Sequence, residues 1–253
     1  MTTALTYTRF ELVRTFRNKR FFIFSLGFPI VFYLLLAGTV RNNHNFGGDA
    51  THHTGLFGPQ YYMVGLLAFG TMAAALAGGA RIAAERSIGW NRQLRLTPLT
   101  PRSYFRAKIV TSYAMVLSSM ALLYAAGSFY GVRLPASAWL RMSTLILVAL
   151  IPFAALGIAL GHLLTPESMG PALGAGVGLL AFLGGTWFPI TGSGLFVDFC
   201  QLLPSYWLVQ AGHVGLGASG DPWGLKGWLV IGAWSVACSA FAIWAYRRDT
   251  QRV

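Results

Sequence analysis

Residues 61–80 read YYMVGLLAFGTMAAALAGGA, twenty positions without a charge, and residues 81–86 directly after them read RIAAER. An α-helix rises about 1.5 Å per residue and the hydrocarbon core of a bilayer is about 30 Å thick, so a run of this length is one crossing. The sudden return of charge marks where the helix leaves the lipid. Five further runs share this character. Residues 21–40, 109–132 and 227–246 are uncharged, 142–164 carries only His162 near one end, and 168–197 is uncharged and longer than a single crossing needs. The sequence therefore predicts an all-α membrane protein with six transmembrane helices over residues 21–246.

Composition excludes the alternatives. Of 253 residues, 55% are hydrophobic and only 10% charged, with a mean hydropathy of +0.56. That leaves too little polar surface for a soluble enzyme of this size and too much apolar surface for a disordered chain. The net charge of +12 comes from 19 Lys+Arg against 7 Asp+Glu. A nucleic-acid surface would gather these cations with aromatics on a soluble fold, whereas here they cluster between apolar runs, so no nucleic-acid partner is expected. Fifteen of the nineteen lie in the amino-terminal tail (Arg9, Arg14, Arg17, Lys19, Arg20), in residues 81–108 and in the tail 247–253, while Arg41, Arg133, Arg141 and Lys226 fall on the opposite side. The positive-inside rule then puts both termini in the cytoplasm, which requires an even number of spans. The first run is about twice the length of a signal-peptide core, and five more follow it, so it is read as an uncleaved helix. Trp139, Trp187, Trp207, Trp223 and Trp228 fall at outer ends and Trp244 and Tyr246 at an inner end, positions suited to interfacial anchors.

Three segments do more than span. Residues 1–20 place Leu5, Leu12 and Phe16 on one helical arc with Glu11, Arg14 and Asn18 opposite, predicting an amphipathic helix on the cytoplasmic membrane surface. Residues 81–108, RIAAERSIGWNRQLRLTPLTPRSYFRAK, mix charge with apolar residues such as Ile88, Trp90, Leu94 and Leu96, a composition suited to docking. Thr97-Pro98 and Thr100-Pro101 break a helix there, predicting one short helix to about Leu96 and a second from Pro101 into the third span. Between residues 190 and 223, Pro204 separates two apolar pieces, each too short to cross, which predicts a re-entrant hairpin on the outer face. Glycines at four-residue spacing, Gly157 and Gly161 and then Gly170, Gly174 and Gly178, favour close helix packing within or between chains.

Much chemistry is absent. There is no GxxxxGK[ST] phosphate loop, no HExxH and no GxSxG, so no catalytic residue is assigned and this chain is expected to bind no cofactor itself. His44, His52 and His53 beside Asp49 lack ligand spacing and read as a solvated loop, leaving no metal site. Cys200 and Cys238 belong to different segments, with no CxxC. His162, near a helix end, is expected to reach water or the helix terminus. No Asp, Glu, Lys or Arg sits in the middle of a span, where a proton-driven pump normally carries one. The driving energy must come from elsewhere.

These residues resemble the type-2 permeases of ATP-binding cassette transporters, the membrane halves of bacterial drug, antibiotic and polysaccharide exporters. Glu85-Arg86, Gly89, Leu94-Arg95, Leu96, Thr97-Pro98-Leu99, Tyr104 and Lys108 are similar to the loop in which that family carries an acidic-basic pair, a glycine, a leucine-containing helix, a proline break and a later lysine. Trp90 stands where a small hydroxyl residue is usual. Residues 184–189 (GGTWFP) and 202–207 (LLPSYW) are similar to the family's outer hairpin, without its middle proline near Gly194. The resemblance implies a multi-pass protein of the bacterial inner (plasma) membrane. It implies a second permease subunit, identical or a paralogue, and two copies of a separate ATPase that bind ATP and Mg, with the loop 81–108 as the coupling helix. A substrate path of Tyr62, Met63, Phe69, Met72, Phe182, Thr186 and Phe188 would suit a hydrophobic or amphiphilic cargo. The rival readings are an intramembrane enzyme, which needs convergent ionisable groups at membrane depth, and a non-transporting scaffold, which would make no use of ATP.

The topology predicts that single cysteines replacing Asn45 and Asn91 react oppositely with an impermeant thiol reagent applied to intact cells. Labelling of position 91 from outside would reverse the orientation.

Overall fold

A computed structural model describes residues 2–17, 19–42, 58–90, 93, 96–190, 192–217 and 223–251, and among them the secondary structure is helical throughout, with no strand. In chain order the helices are α1 (Thr2–Arg17), α2 (Lys19–Asn42), α3 (Gly58–Leu76), α4 (Gly78–Ser87), α5 (Pro101–Phe129), α6 (Ala136–Ala149), α7 (Ile151–Leu163), α8 (Pro166–Leu183), α9 (Leu195–Gln201), α10 (Pro204–Gly215) and α11 (Leu225–Gln251). The pairs α3/α4 and α6/α7 each continue through a single turn, at Ala77 and at Leu150. Four stretches are long and apolar enough to cross a bilayer: Gly58–Ser87, Pro101–Phe129, Ala136–Leu163 and Leu225–Asp249. Helices α2 and α8 occupy the positions of the other two expected spans. The histidines of the loop after α2, with Asp49, lie outside the described residues.

Helix α3 forms the centre. Met63, Val64, Leu66, Leu67, Met72 and Leu76 are buried against α2, α5, α7 and α10, whereas α11 packs mainly on α7 and leaves Leu229, Val236 and Ile243 exposed. Apolar side chains pointing outward cost a soluble protein dearly but suit one whose surroundings are lipid.

Glycine decides how closely the helices cross. A Cβ on Gly79 would stand 2.1 Å from the Gly157 carbonyl oxygen, and one on Gly161 would stand 2.6 Å from that of Gly79, so α4 and α7 meet backbone to backbone. The α8 glycines differ. Gly170, Gly174 and Gly178 have nothing within 4 Å of such a Cβ, and their stripe faces out of the chain together with Leu179 and Phe182.

Several expectations change. The helix that begins at Gly78 ends at Ser87, where Gly89 adopts a left-handed conformation at φ +71°, and Trp90 and Gln93 are helical beyond it, so the short helix expected up to about Leu96 is separate from α4. A helical turn then resumes, the Leu96 N–H donating to the Gln93 carbonyl at 3.1 Å. The second helix starts at Pro101 as expected, capped by Thr100, whose hydroxyl accepts from the Ser103 N–H at 3.3 Å. Helix α1 turns its polar face inward, burying Glu11 and Thr15 while Leu5, Phe10 and Phe16 are exposed. Trp207, expected at an interface, is a core residue whose indole N–H donates to the Gln201 carbonyl at 2.8 Å. His162 lies in the last turn of α7, one of its two expected settings, but is buried and hydrogen-bonds Asp249 instead of water. The two short pieces of 190–223 do form helices, but asymmetrically. Helix α10 is buried along its length, whereas α9 exposes Leu195, Phe196 and Phe199. Both cysteines are free and buried.

The α4/α7 crossing makes Gly79→Val an overpacking change costing about 1–3 kcal/mol or more. Thermal unfolding of the purified protein should fall by several degrees, while Gly176→Ala, built into open space, should leave it unchanged.

Candidate functional site

At the basic end of the bundle, five helices, α1, α4, α5, α7 and α11, are tied together by charged side chains. Lys108, on the first turns of α5, is 1% exposed, and its ammonium donates to Glu11 Oε1 of α1 at 2.6 Å and to both carboxylate oxygens of Glu85 on α4, at 2.8 and 2.7 Å. Glu85 also accepts from Arg14 Nη1 at 3.0 Å, and Arg81 Nη1 reaches the Thr15 hydroxyl at 2.9 Å. The two carboxylates thus face three cations, Lys108 and Arg14 in direct contact and Arg81 beside them, so no buried charge lacks an opposite neighbour. That pairing is what permits burial of the cluster, since each ion taken alone from water would cost several kcal/mol. Beside it, the Tyr104 ring lies 5.3 Å from the Lys108 ammonium and 6.3 Å from Tyr7. Burial, with help from the Glu11 charge, pushes the Tyr7 phenol well above its usual range, so it adds no charge to the cluster.

A second set of bonds extends the junction. Arg86, next in sequence to Glu85, donates from Nε to Asp249 Oδ1 of α11 at 2.9 Å and from Nη1 to the carbonyls of Gly161 and Leu164 at 3.1 and 3.2 Å. Those carbonyls belong to the last turn of α7 and have no intrahelical partner, so the guanidinium caps that helix while gripping α11. Asp249 also hydrogen-bonds His162 Nδ1 at 3.0 Å, and Phe105, Tyr246 and His162 close over it as an aromatic cluster, the Phe105 and Tyr246 rings 4.8 Å apart. The acidic-basic pair Glu85-Arg86 therefore faces two ways, one residue binding α1 and α5 and the other α7 and α11.

Beyond this base the loop projects. Leu96 is 90% exposed, Ile88 and Pro98 are also exposed, and Thr97 accepts from the Leu99 N–H at 3.4 Å. Ile88 and Trp90, with Phe10, Val13, Arg14 and Arg17 of α1, line an open groove with an apolar floor and a basic rim. Leu94 and Arg95 lie outside the described residues. Of the remaining coupling residues from the sequence, Glu85, Arg86, Tyr104 and Lys108 converge in the buried junction, while Gly89, Leu96, Thr97 and Pro98 belong to the projecting part.

The path residues are more dispersed. Met63, Met72 and Thr186 are enclosed within the chain, Tyr62 and Phe69 are half-buried on α3, and Phe182 and Phe188 are exposed. The 186–188 segment runs alongside α3: the Trp187 ring lies 5.8 Å from Phe69, and a Cβ on Gly65 would meet the Thr186 carbonyl oxygen. Among the described residues no group of three His, Cys, Asp or Glu gathers as a metal site would.

Sequence reasoning did not single out Glu11, Asp249, Arg81 or Thr15 as members of one cluster. A signal was present in the scarcity of acid. With seven Asp+Glu in 253 residues, an acidic residue within a strongly basic tail calls for a specific partner.

No protein-family model matches the chain. Over 211 residues it is 29% identical to a protein described as "Putative transport permease YvfS" from Bacillus subtilis (strain 168), covering 82% of this chain and 80% of that relative. That likeness supports a transport permease role for the chain.

Removing the central cation tests the junction. Lys108→Met leaves two buried carboxylates facing each other and should destabilise the protein by about 3–5 kcal/mol, read as a loss of folded material in detergent. The double variant Glu85→Gln with Lys108→Met, which removes one anion together with the cation and keeps the net charge of the cluster, should recover part of that loss.

Proposed function

We propose that this chain is the membrane subunit of an ATP-driven exporter of the type-2 ATP-binding cassette class, with six crossings and both termini in the cytoplasm. Two permease subunits, identical or paralogous, pair with two ATPase subunits that bind ATP and Mg. Together they move a hydrophobic or amphiphilic molecule, such as a drug, an antibiotic or a lipid-like compound, out of the cell. The observation that carries this reading is the exposed apolar loop mounted on a buried ionic base. An apolar tip on a strongly basic surface is unfavourable in water and becomes favourable when a partner covers it. The base joins that tip to α1, α5, α7 and α11, so a push on the loop reaches several membrane helices at once.

The open glycine stripe of α8 supplies the second surface. Small residues let two membrane helices approach closely, and none of the described residues fills the space over Gly170, Gly174 and Gly178. Pairing two copies there would bring the exposed Phe182 and Phe188 toward the partner, and with Tyr62 and Phe69 they form the apolar wall of the cargo path. The helices α9 and α10 cap this path from outside as the hairpin. An intramembrane enzyme fits less well, because the buried ions are consumed in holding helix ends together.

Replacing Ile88 and Leu96 together with Asp sets two charges against the apolar surface of the ATPase, which costs several kcal/mol if they stay unpaired. The double variant should reach the membrane in normal amount yet lose the ATPase on pull-down, or lose its stimulated hydrolysis. Unchanged ATPase binding and export would overturn the docking role. Separately, Gly174→Trp should convert a purified dimer to monomer with little change in the helical content of each chain; a dimer that persists would remove α8 from the interface.

A further inference from the structure

We propose that the cleft between α5, α7 and α11 binds one anionic phospholipid of the leaflet at the basic end of the bundle, its phosphate on Arg102 and Arg106 and an acyl chain along the groove. The cleft has a volume of about 510 Å³, within the usual range for a small-molecule site. Arg102, Arg106, Ile109 and Tyr113 succeed one another on a single face of α5, opposite a wall that includes Ile151 and Ile158 of α7 and Ile243 of α11. The two arginines stand at one end, on the first turns of α5, and the lining beyond them is almost wholly apolar. No acidic residue lines the cleft, and none of the ion pairs found among the described residues involves Arg102 or Arg106.

Length selects the occupant. From Arg102 to Tyr113 is eleven residues, about 16 Å along the helix, and one leaflet's share of the hydrocarbon core is about 15 Å. At the far end the Tyr113 hydroxyl is already spent, donating to the Leu147 carbonyl at 3.0 Å, which leaves the uncharged Ser239 hydroxyl as the polar group of the lining beyond the arginines. An occupant must therefore carry an anion at one end and one leaflet's depth of hydrocarbon behind it. A second copy of this chain does not meet that need. Glu11, Glu85 and Asp249 are engaged in the ionic junction, and the exposed Glu167 on the first turn of α8 would bring a carboxylate without a leaflet's depth of hydrocarbon behind it. Basic pockets between membrane helices on the cytoplasmic side are suited to anionic headgroups. The proposal rests on α5, α6/α7 and α11 crossing the membrane and not on the exporter reading, so it survives if the chain transports nothing.

The test uses the full chain purified in neutral detergent, titrated with mixed micelles of phosphatidylglycerol or of phosphatidylcholine. Native mass spectrometry and thermal unfolding are the two readouts. Phosphatidylglycerol should leave one adduct per permease and raise the unfolding temperature, and phosphatidylcholine and inorganic phosphate should do neither. Arg102→Gln with Arg106→Gln should weaken phosphatidylglycerol binding about thirtyfold, equivalent to about 2 kcal/mol at about 1 kcal/mol per arginine. The same loss of charge at Arg247 and Arg248 should leave binding intact. Ala155→Trp, which keeps both arginines and fills the groove, should abolish the adduct. Equal stabilisation by phosphatidylcholine, or an adduct that survives Ala155→Trp, would overturn the proposal.

Discussion

A lysine ammonium sealed from solvent between two carboxylates is costly to assemble, because every partner must be in place before the charges leave water. Lys108 meets Glu11 and Glu85 in this way, and the arrangement fixes three helices that lie far apart in sequence. Once Glu85 is fixed, Arg86 is fixed with it, and its guanidinium closes the end of α7 and holds Asp249 of α11. The amino-terminal helix, the start of α5, the end of α7 and the last helix then share one rigid end. Packing in lipid supplies little of this specificity, since one apolar helix face fits another nearly as well as it fits lipid. Charge at the helix ends and glycine at the crossings decide the arrangement instead.

The helices themselves were legible from apolar run length. Residues 61–80 and 109–132 lie in helices that extend past the run at both ends or at one, because apolarity reports the lipid and not the helix boundary. Pro101 marked the start of α5 correctly, since proline at a first turn is local chemistry, and the structure adds the Thr100 hydroxyl as its cap. The helix ending at Ser87 was less legible. Its stop depends on Gly89 taking φ +71°, and a glycine inside an apolar-basic mixture gives no sign of which conformation it adopts.

The site was legible in outline and not in its inward half. The amphipathic pattern of α1 gave its apolar arc, but which face meets the bundle is a tertiary matter, decided by Glu11 finding Lys108 ninety-seven positions away. Trp207 was misplaced at an interface because its partner, the Gln201 carbonyl, lies across the turn before α10, and the burial of His162 was not legible because Asp249 is 87 positions away in sequence. The glycine stripes read alike in sequence, yet the α7 pair packs inside the chain while the α8 set faces out. Spacing alone does not distinguish the two, because both satisfy the same rule for close approach.

On the proposed reading, the buried ions hold the apolar loop where an ATPase can grip it, and that link between junction and docking is the central claim. A photo-crosslinking residue at Leu96 in intact cells tests it directly, with the exposed Phe129 at the far end of α5 as the control position. The account predicts an adduct with an ATP-binding subunit from position 96, none from position 129, and loss of the adduct when Lys108→Met is introduced in chains that still reach the membrane. An adduct from position 96 that contains no ATP-binding subunit, or one that forms equally well without Lys108, would contradict it.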